Sequence, residues 1–77
     1  MERYAHPQIV ISSDVLSGTP VFAGTRVPIK NLLDYMRAGE SIPTFLLDFP
    51  SVSPAQVDAV LAFVETTVLE TLYAHSA

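Results

Sequence analysis

No cysteine occurs among the 77 residues, so disulfide cross-links and thiolate metal sites are both excluded. Tryptophan is absent too, and glycine is confined to Gly18, Gly24 and Gly39. Basic side chains are scarce: Arg3, Arg26, Lys30 and Arg37 complete the set, and none follows Arg37. Apolar runs are broken by polar residues well short of the roughly 20 residues that cross a bilayer, so no membrane association is expected. The opening segment MERYAHP lacks a cationic stretch followed by an apolar one, so no secretion signal is expected and the protein reads as cytoplasmic.

What is present suffices for folding. Hydrophobic residues make up 49% of the chain against 16% charged, far from the composition of disordered proteins. The length fits a single domain over 1–77, small enough that its own core gives marginal stability, which favours a dimer or a complex. Charge is segregated along the chain. Residues 39–77 carry Glu40, Asp48, Asp58, Glu65 and Glu70 with no cation, within a net charge of −4. Such a half is repelled by phosphate backbones and attracted to basic proteins.

Residues 8–28 read as strand and hairpin. The β-branched run in Gln8-Ile9-Val10-Ile11-Ser12 suits a strand, and Pro20-Val21-Phe22, Ala23-Gly24 and Thr25-Arg26-Val27-Pro28 suit a tight hairpin with Gly24 at φ > 0. Residues 29–74 read as three helices. Pro28 opens the first, with Ile29, Leu32, Leu33 and Met36 at helical spacing, and Gly39 closes it as a left-handed cap. Ser41 caps a short second helix with Pro43 in its first turn and Ile42, Phe45, Leu46 and Phe49 on one face; Phe49-Pro50 ends it. Ser53-Pro54-Ala55-Gln56 forms a capping box for a third helix from Pro54 to about Ala74, roughly 30 Å long. Its apolar residues Val57, Val60, Leu61, Val64, Val68, Leu69 and Leu72 form a stripe longer than two short helices cover. The distal part, with Val64, Val68, Leu69, Leu72 and Tyr73, is therefore expected to pack against a second chain.

Candidate chemistry is sparse. The spacing of Gly18 and Gly24, with Thr25-Arg26 behind them, does not fit a phosphate loop, so both glycines read as backbone-shaping, like Pro28 and Gly39. Arg26 reads either as a solvated charge or as an anchor for a carboxylate or phosphate. Three helices with a short middle one match a helix-turn-helix outline, which would turn Ser53, Gln56 and Asp58 toward a major groove and pair Gln56 with adenine. That helix has no cation to hold a phosphate, so any DNA contact falls to Arg26, Lys30 and Arg37. His6 and His75 read as surface residues near the ends, and Asp34 and Asp48 as solvated. Phe22, Phe45, Phe49 and Phe63 read as core, Tyr35 and Tyr73 as interface anchors. No metal, cofactor or catalytic set is expected.

Three segments carry a resemblance: S-G-T-P-V-F-A-G-T-R-V-P-I at 17–29, L-L-D-Y-M-R-A-G-E-S at 32–41, and F-L-L-D-F-P-S-V-S-P-A-Q-V-D-A-V-L at 45–61. Together they closely resemble the domain of unknown function numbered 433, over about three quarters of the chain. Gly18, Pro20, Gly24, Thr25, Arg26, Pro28, Gly39 and Pro50 match, while Thr19 stands where some members have lysine. The resemblance implies a mostly α fold, a homeodomain-like trihelical core preceded by short strands. It also implies the antitoxin half of a toxin–antitoxin module that neutralises a PIN-like ribonuclease. The leading expectation is therefore a non-enzymatic, homo-oligomeric binding module using Arg26, Lys30, Arg37, Glu65 and Glu70. The alternative is a dimeric autoregulator that binds operator DNA.

Overall fold

The computed structural model describes residues 2–75, with side chains described from His6 onward. Strands β1 (Glu2–His6), β2 (Ile9–Ser12) and β3 (Val21–Phe22) precede helices α1 (Ile29–Arg37), α2 (Ile42–Asp48) and α3 (Pro54–Ala74). The three strands form one antiparallel sheet in the order β1-β2-β3. Strand β2 is the one expected from the β-branched run, one residue shorter because Gln8 belongs to the turn that pairs His6 with Ile9. Strand β1 is an addition: its polar sequence carries no strand signature of its own, and it is held by its ladder to β2.

The turn after β3 has the expected geometry. The Thr25 N–H donates to the Phe22 carbonyl at 3.0 Å, with Gly24 at φ +75° in the third turn position. The Thr25 hydroxyl tightens it, donating to the same carbonyl at 2.9 Å and accepting from the Val27 N–H at 3.0 Å. The returning arm is weaker than a full hairpin strand, making a single bridge between Val21 and Pro28. Proline has no N–H to continue a ladder. β3 therefore finds its partners in β2, pairing Phe22 with Ile9 and Val21 with Val10. Upstream, Leu16, Ser17 and Gly18 all take left-handed backbone, at φ 49°, 55° and 88°. Gly18 was the expected reversal point, but two side-chain-bearing neighbours share the strain.

The helices begin and end where their caps dictate. Pro28 proves to be the residue before α1 rather than its first turn, with extended backbone at ψ 140°. At the other end Gly39 takes φ +80°, and the Gly39 and Glu40 N–H groups donate to the carbonyls of Met36 and Tyr35 at 3.1 and 2.9 Å. That reciprocal pair is the Schellman closure that glycine permits. Ser41 caps α2 by accepting from the Thr44 N–H. Ser53 and Gln56 form the capping box of α3.

These elements close on one core of Ile9, Phe22, Ile29, Leu32, Phe45, Val52, Val57 and Val60. Phe22 and Phe45 are fully buried at its centre with ring centroids 6.0 Å apart. Each such side chain contributes about 1.5–3 kcal/mol through area removed from water. No helix among the described residues is long and apolar enough to cross a membrane.

A β-carbon built on Gly24 meets nothing within 4 Å, so only its positive φ resists substitution. Gly24→Val is accordingly expected to destabilise the fold by about 1 kcal/mol or more, read as a lower melting temperature, since a β-branched residue resists that backbone.

Candidate functional site

The first turn of α3, expected to face outward, is engaged in holding the fold together. The Gln56 side-chain amide donates to Gln8 Oε1 at 3.1 Å and to the Ala23 carbonyl at 2.9 Å, while its Oε1 accepts from the Ser53 N–H at 3.1 Å. The Ala23 N–H in turn donates to the Gln8 carbonyl at 2.9 Å. One carboxamide thus ties α3 to both turns of the sheet. Gln56 is half-buried and its amide protons are committed, so the pairing with adenine considered from sequence does not fit this geometry. Ser53 is committed likewise to the cap, whereas Asp58 is exposed.

Several other residues differ from expectation. His6 is not a loose surface residue: its ring lies 5.0 Å from that of Phe63, and its Nδ1 accepts from the Gln8 N–H at 3.1 Å. Tyr35 is an internal brace instead of an interface anchor. Its hydroxyl donates to Asp48 Oδ2 at 2.6 Å, and its ring meets Phe45 and Phe49 edge-on. Donation to Asp48 raises the Tyr35 pKa above its usual value, helped by desolvation and by the charges of Asp48 and Glu40. Asp34 pairs with Lys30 at 2.7 Å across an exposed helical turn. No group of three or more metal-ligating side chains occurs among the described residues.

The candidate binding residues separate into two sets. Arg26, at the turn, and Arg37, in the last turn of α1, are both exposed and have no hydrogen-bond or ion-pair partner among the described residues. Lys30 and Arg37 lie seven residues apart along one face of α1, with Asp34 between them.

On α3 the core face ends early. Val57 and Val60 are buried, and Leu61, Phe63 and Val64 pack against the core. Val64, expected in an interface, is half-buried and packs against the chain's own core. Beyond it Val68, Leu69, Leu72 and Tyr73 are 50%, 41%, 58% and 72% exposed. At about 100° per residue they span a sector of about 140°, turned roughly a third of a revolution from the buried face. The stripe seen in the sequence thus bends away from the core. Glu65 falls inside this apolar sector, whereas Glu70 lies about 140° from Glu65, so one flat surface does not gather both.

Two measurements check this geometry. Gln56→Ala is expected to destabilise the fold by about 2 kcal/mol in denaturant unfolding, from loss of the cap and two tertiary bonds. Because the folded state favours the protonated phenol, Tyr35 stabilises the fold below pH 10 and loses that contribution as pH rises through its raised pKa. Its phenolate absorbance, isolated by difference from Tyr35→Phe, should appear at lower pH in Asp48→Asn than in the wild type.

Comparison with known proteins adds a boundary. A family model described as "Protein of unknown function (DUF433)" matches residues 9–64. Among the described residues, the match starts at the first core residue, Ile9, and stops at the last that packs on the core, Val64. The exposed apolar arm of α3 thus lies outside the matched region. The uncharacterized protein y4eO of Sinorhizobium fredii (strain NBRC 101917 / NGR234) is 36% identical over 63 residues, covering 80% of this chain and 28% of that protein. The chain thus spans little more than a quarter of the length of this relative. No solved structure matches it. With the match covering every core element from β2 to the buried half of α3, the chain belongs to the DUF433 family.

Proposed function

We propose that the protein is a non-enzymatic, antitoxin-like binding module that acts in the cytoplasm as a homodimer and neutralises a PIN-like ribonuclease by protein–protein contact. The observation that carries this reading is the uncovered arm of α3, where Val68, Leu69, Leu72 and Tyr73 stand exposed beyond the last core contact at Val64. Contiguous exposed apolar side chains rimmed by polar ones mark association surfaces. Acidic side chains accompany the arm, with Glu65 inside the apolar sector, Glu70 on another side of the helix and no cation on α3; Glu70, left outside the dimer contact, suits a basic protein face of the kind an RNA-cleaving enzyme presents to phosphates. A homeodomain-like arrangement of the three helices and a PIN-like partner are what the family resemblance implies, and they enter this reading as part of the proposal.

A second reading rests on a different observation: among the described residues Arg26 and Arg37 are exposed without ion-pair partners, and Lys30 has only a surface pair. Doubled in a dimer, these cations would serve operator DNA. The α3 helix itself takes no part in this reading, having no cation and a committed Gln56. Salt distinguishes the two, since operator affinity falls steeply with ionic strength in proportion to the phosphates neutralised.

Val68→Asp combined with Leu72→Asp is expected to yield monomers in sedimentation, because each carboxylate would be buried without a partner. A wild type that sediments as a monomer at micromolar concentration contradicts the dimer. For the partner, the test is RNA cleavage by a purified PIN-like product of the adjacent gene: added protein should suppress it. Arg26→Ala should weaken that complex by about 1–3 kcal/mol while leaving the melting temperature unchanged. If the mutation instead lowers operator affinity and the salt slope by about one unit, the DNA reading holds.

A further inference from the structure

The unmatched charges and the uncovered apolar surface of this chain complement one another. On α1, Leu33 is half-buried, Met36 is exposed and Arg37 is exposed without a partner among the described residues. On α3, Glu65 is exposed without a partner among the described residues, amid exposed Val68, Leu69 and Leu72. No described ion pair joins the two helices within the chain, where the Lys30–Asp34 bridge stays on α1. Spacing also agrees. Leu33 and Arg37 are four residues apart on α1, as are Glu65 and Leu69 on α3, so each pair sits about 6 Å apart along its axis on one helix face.

We infer that the distal half of α3 docks antiparallel on α1 of a second copy, with Glu65 against the partner's Arg37 and Leu69 against the partner's Leu33. Leu72 then lies along the aliphatic stem of the partner's Lys30, and Val68 lies near Met36. A two-fold axis repeats the contact, so each copy gives one arm and receives one. The alternative of pairing α3 with its own copy leaves Arg37 unused and brings together two helices that carry only acidic charges, Asp58, Glu65 and Glu70. Exchange of arms instead opposes the basic half of one chain to the acidic half of the other, the arrangement that favours encounter and register.

This inference rests on the dimer proposed above, and the test separates the two. Arg37→Glu and Glu65→Arg, both exposed, should each weaken self-association about tenfold or more in sedimentation equilibrium, since two symmetry-related attractions become repulsions. The chain carrying both changes should regain dimerisation to near the wild-type constant. As a second measurement, a chain carrying Leu33→Cys and Leu69→Cys, in a protein with no other cysteine, should form disulfide-linked dimers under mild oxidation, whereas Leu69→Cys alone should not. A wild-type monomer overturns dimer and arm exchange together. If Val68→Asp with Leu72→Asp breaks the dimer but neither charge reversal weakens it, or if Leu69→Cys alone cross-links, α3 pairs with its own copy and the arm exchange is wrong. Failure of the double reversal to restore association overturns it as well.

Discussion

The carboxamide of Gln56 is the joint on which the arrangement of sheet and helices depends. It accepts from the first residue of its own capping box and donates to Gln8 and Ala23, 48 and 33 residues upstream. Hydrophobic burial supplies most of the driving force but has no direction. The amide supplies direction, fixing where α3 leaves the sheet and so which of its faces meets Phe22 and Phe45. No buried side-chain polar atom is left unpaired among the described residues.

The angle at which α3 departs determines what the surface offers. With 9 and 7 residues, α1 and α2 cannot cover a 21-residue helix, and its last three turns pass beyond them. A helical segment of that length is marginal without tertiary support. Four large apolar side chains on it make the segment more dependent on a cover still. The charge segregation bears on the same point: the carboxylates on α3 and the arginines at the turn and on α1 find no ion-pair partners among the described residues. The part of the molecule matched by the family model is the closed core, while the exposed apolar arm lies beyond it.

Much of this was legible in the sequence because local signals were strong and agreed with one another. Ser53-Pro54-Ala55-Gln56, Ser41 with Pro43, and Gly39 each specify a helix end through hydrogen bonds that need only neighbouring residues, and all three ends fall where those signals put them. Gly24 was readable for the same reason. Long-range pairings were not. Strand β1 exists through its ladder to β2, and nothing in its own polar sequence announces it. The second task of Gln56 lies between residues far apart in the chain, so the capping box revealed one of its roles and hid the other. Tyr35 and His6 were misread likewise, since Asp48 and Phe63 are distant in sequence. The apolar arm was visible as a surplus of hydrophobic positions, but its outward turn was not: Val68 and Leu72 stay within about 60° of the direction of Val57, and Leu69 and Tyr73 are the ones that leave that face.

In the proposed dimer, association orders the distal half of α3. Amide hydrogen exchange resolved along α3, at concentrations above and below the dimerisation midpoint, tests it directly. Protection over 54–64 should be the same at both concentrations, since those residues lie on the chain's own core. Protection over 66–74 should be high in the concentrated sample and collapse on dilution. Equal protection of 66–74 at both concentrations would contradict the account, as would rapid exchange there at the higher one.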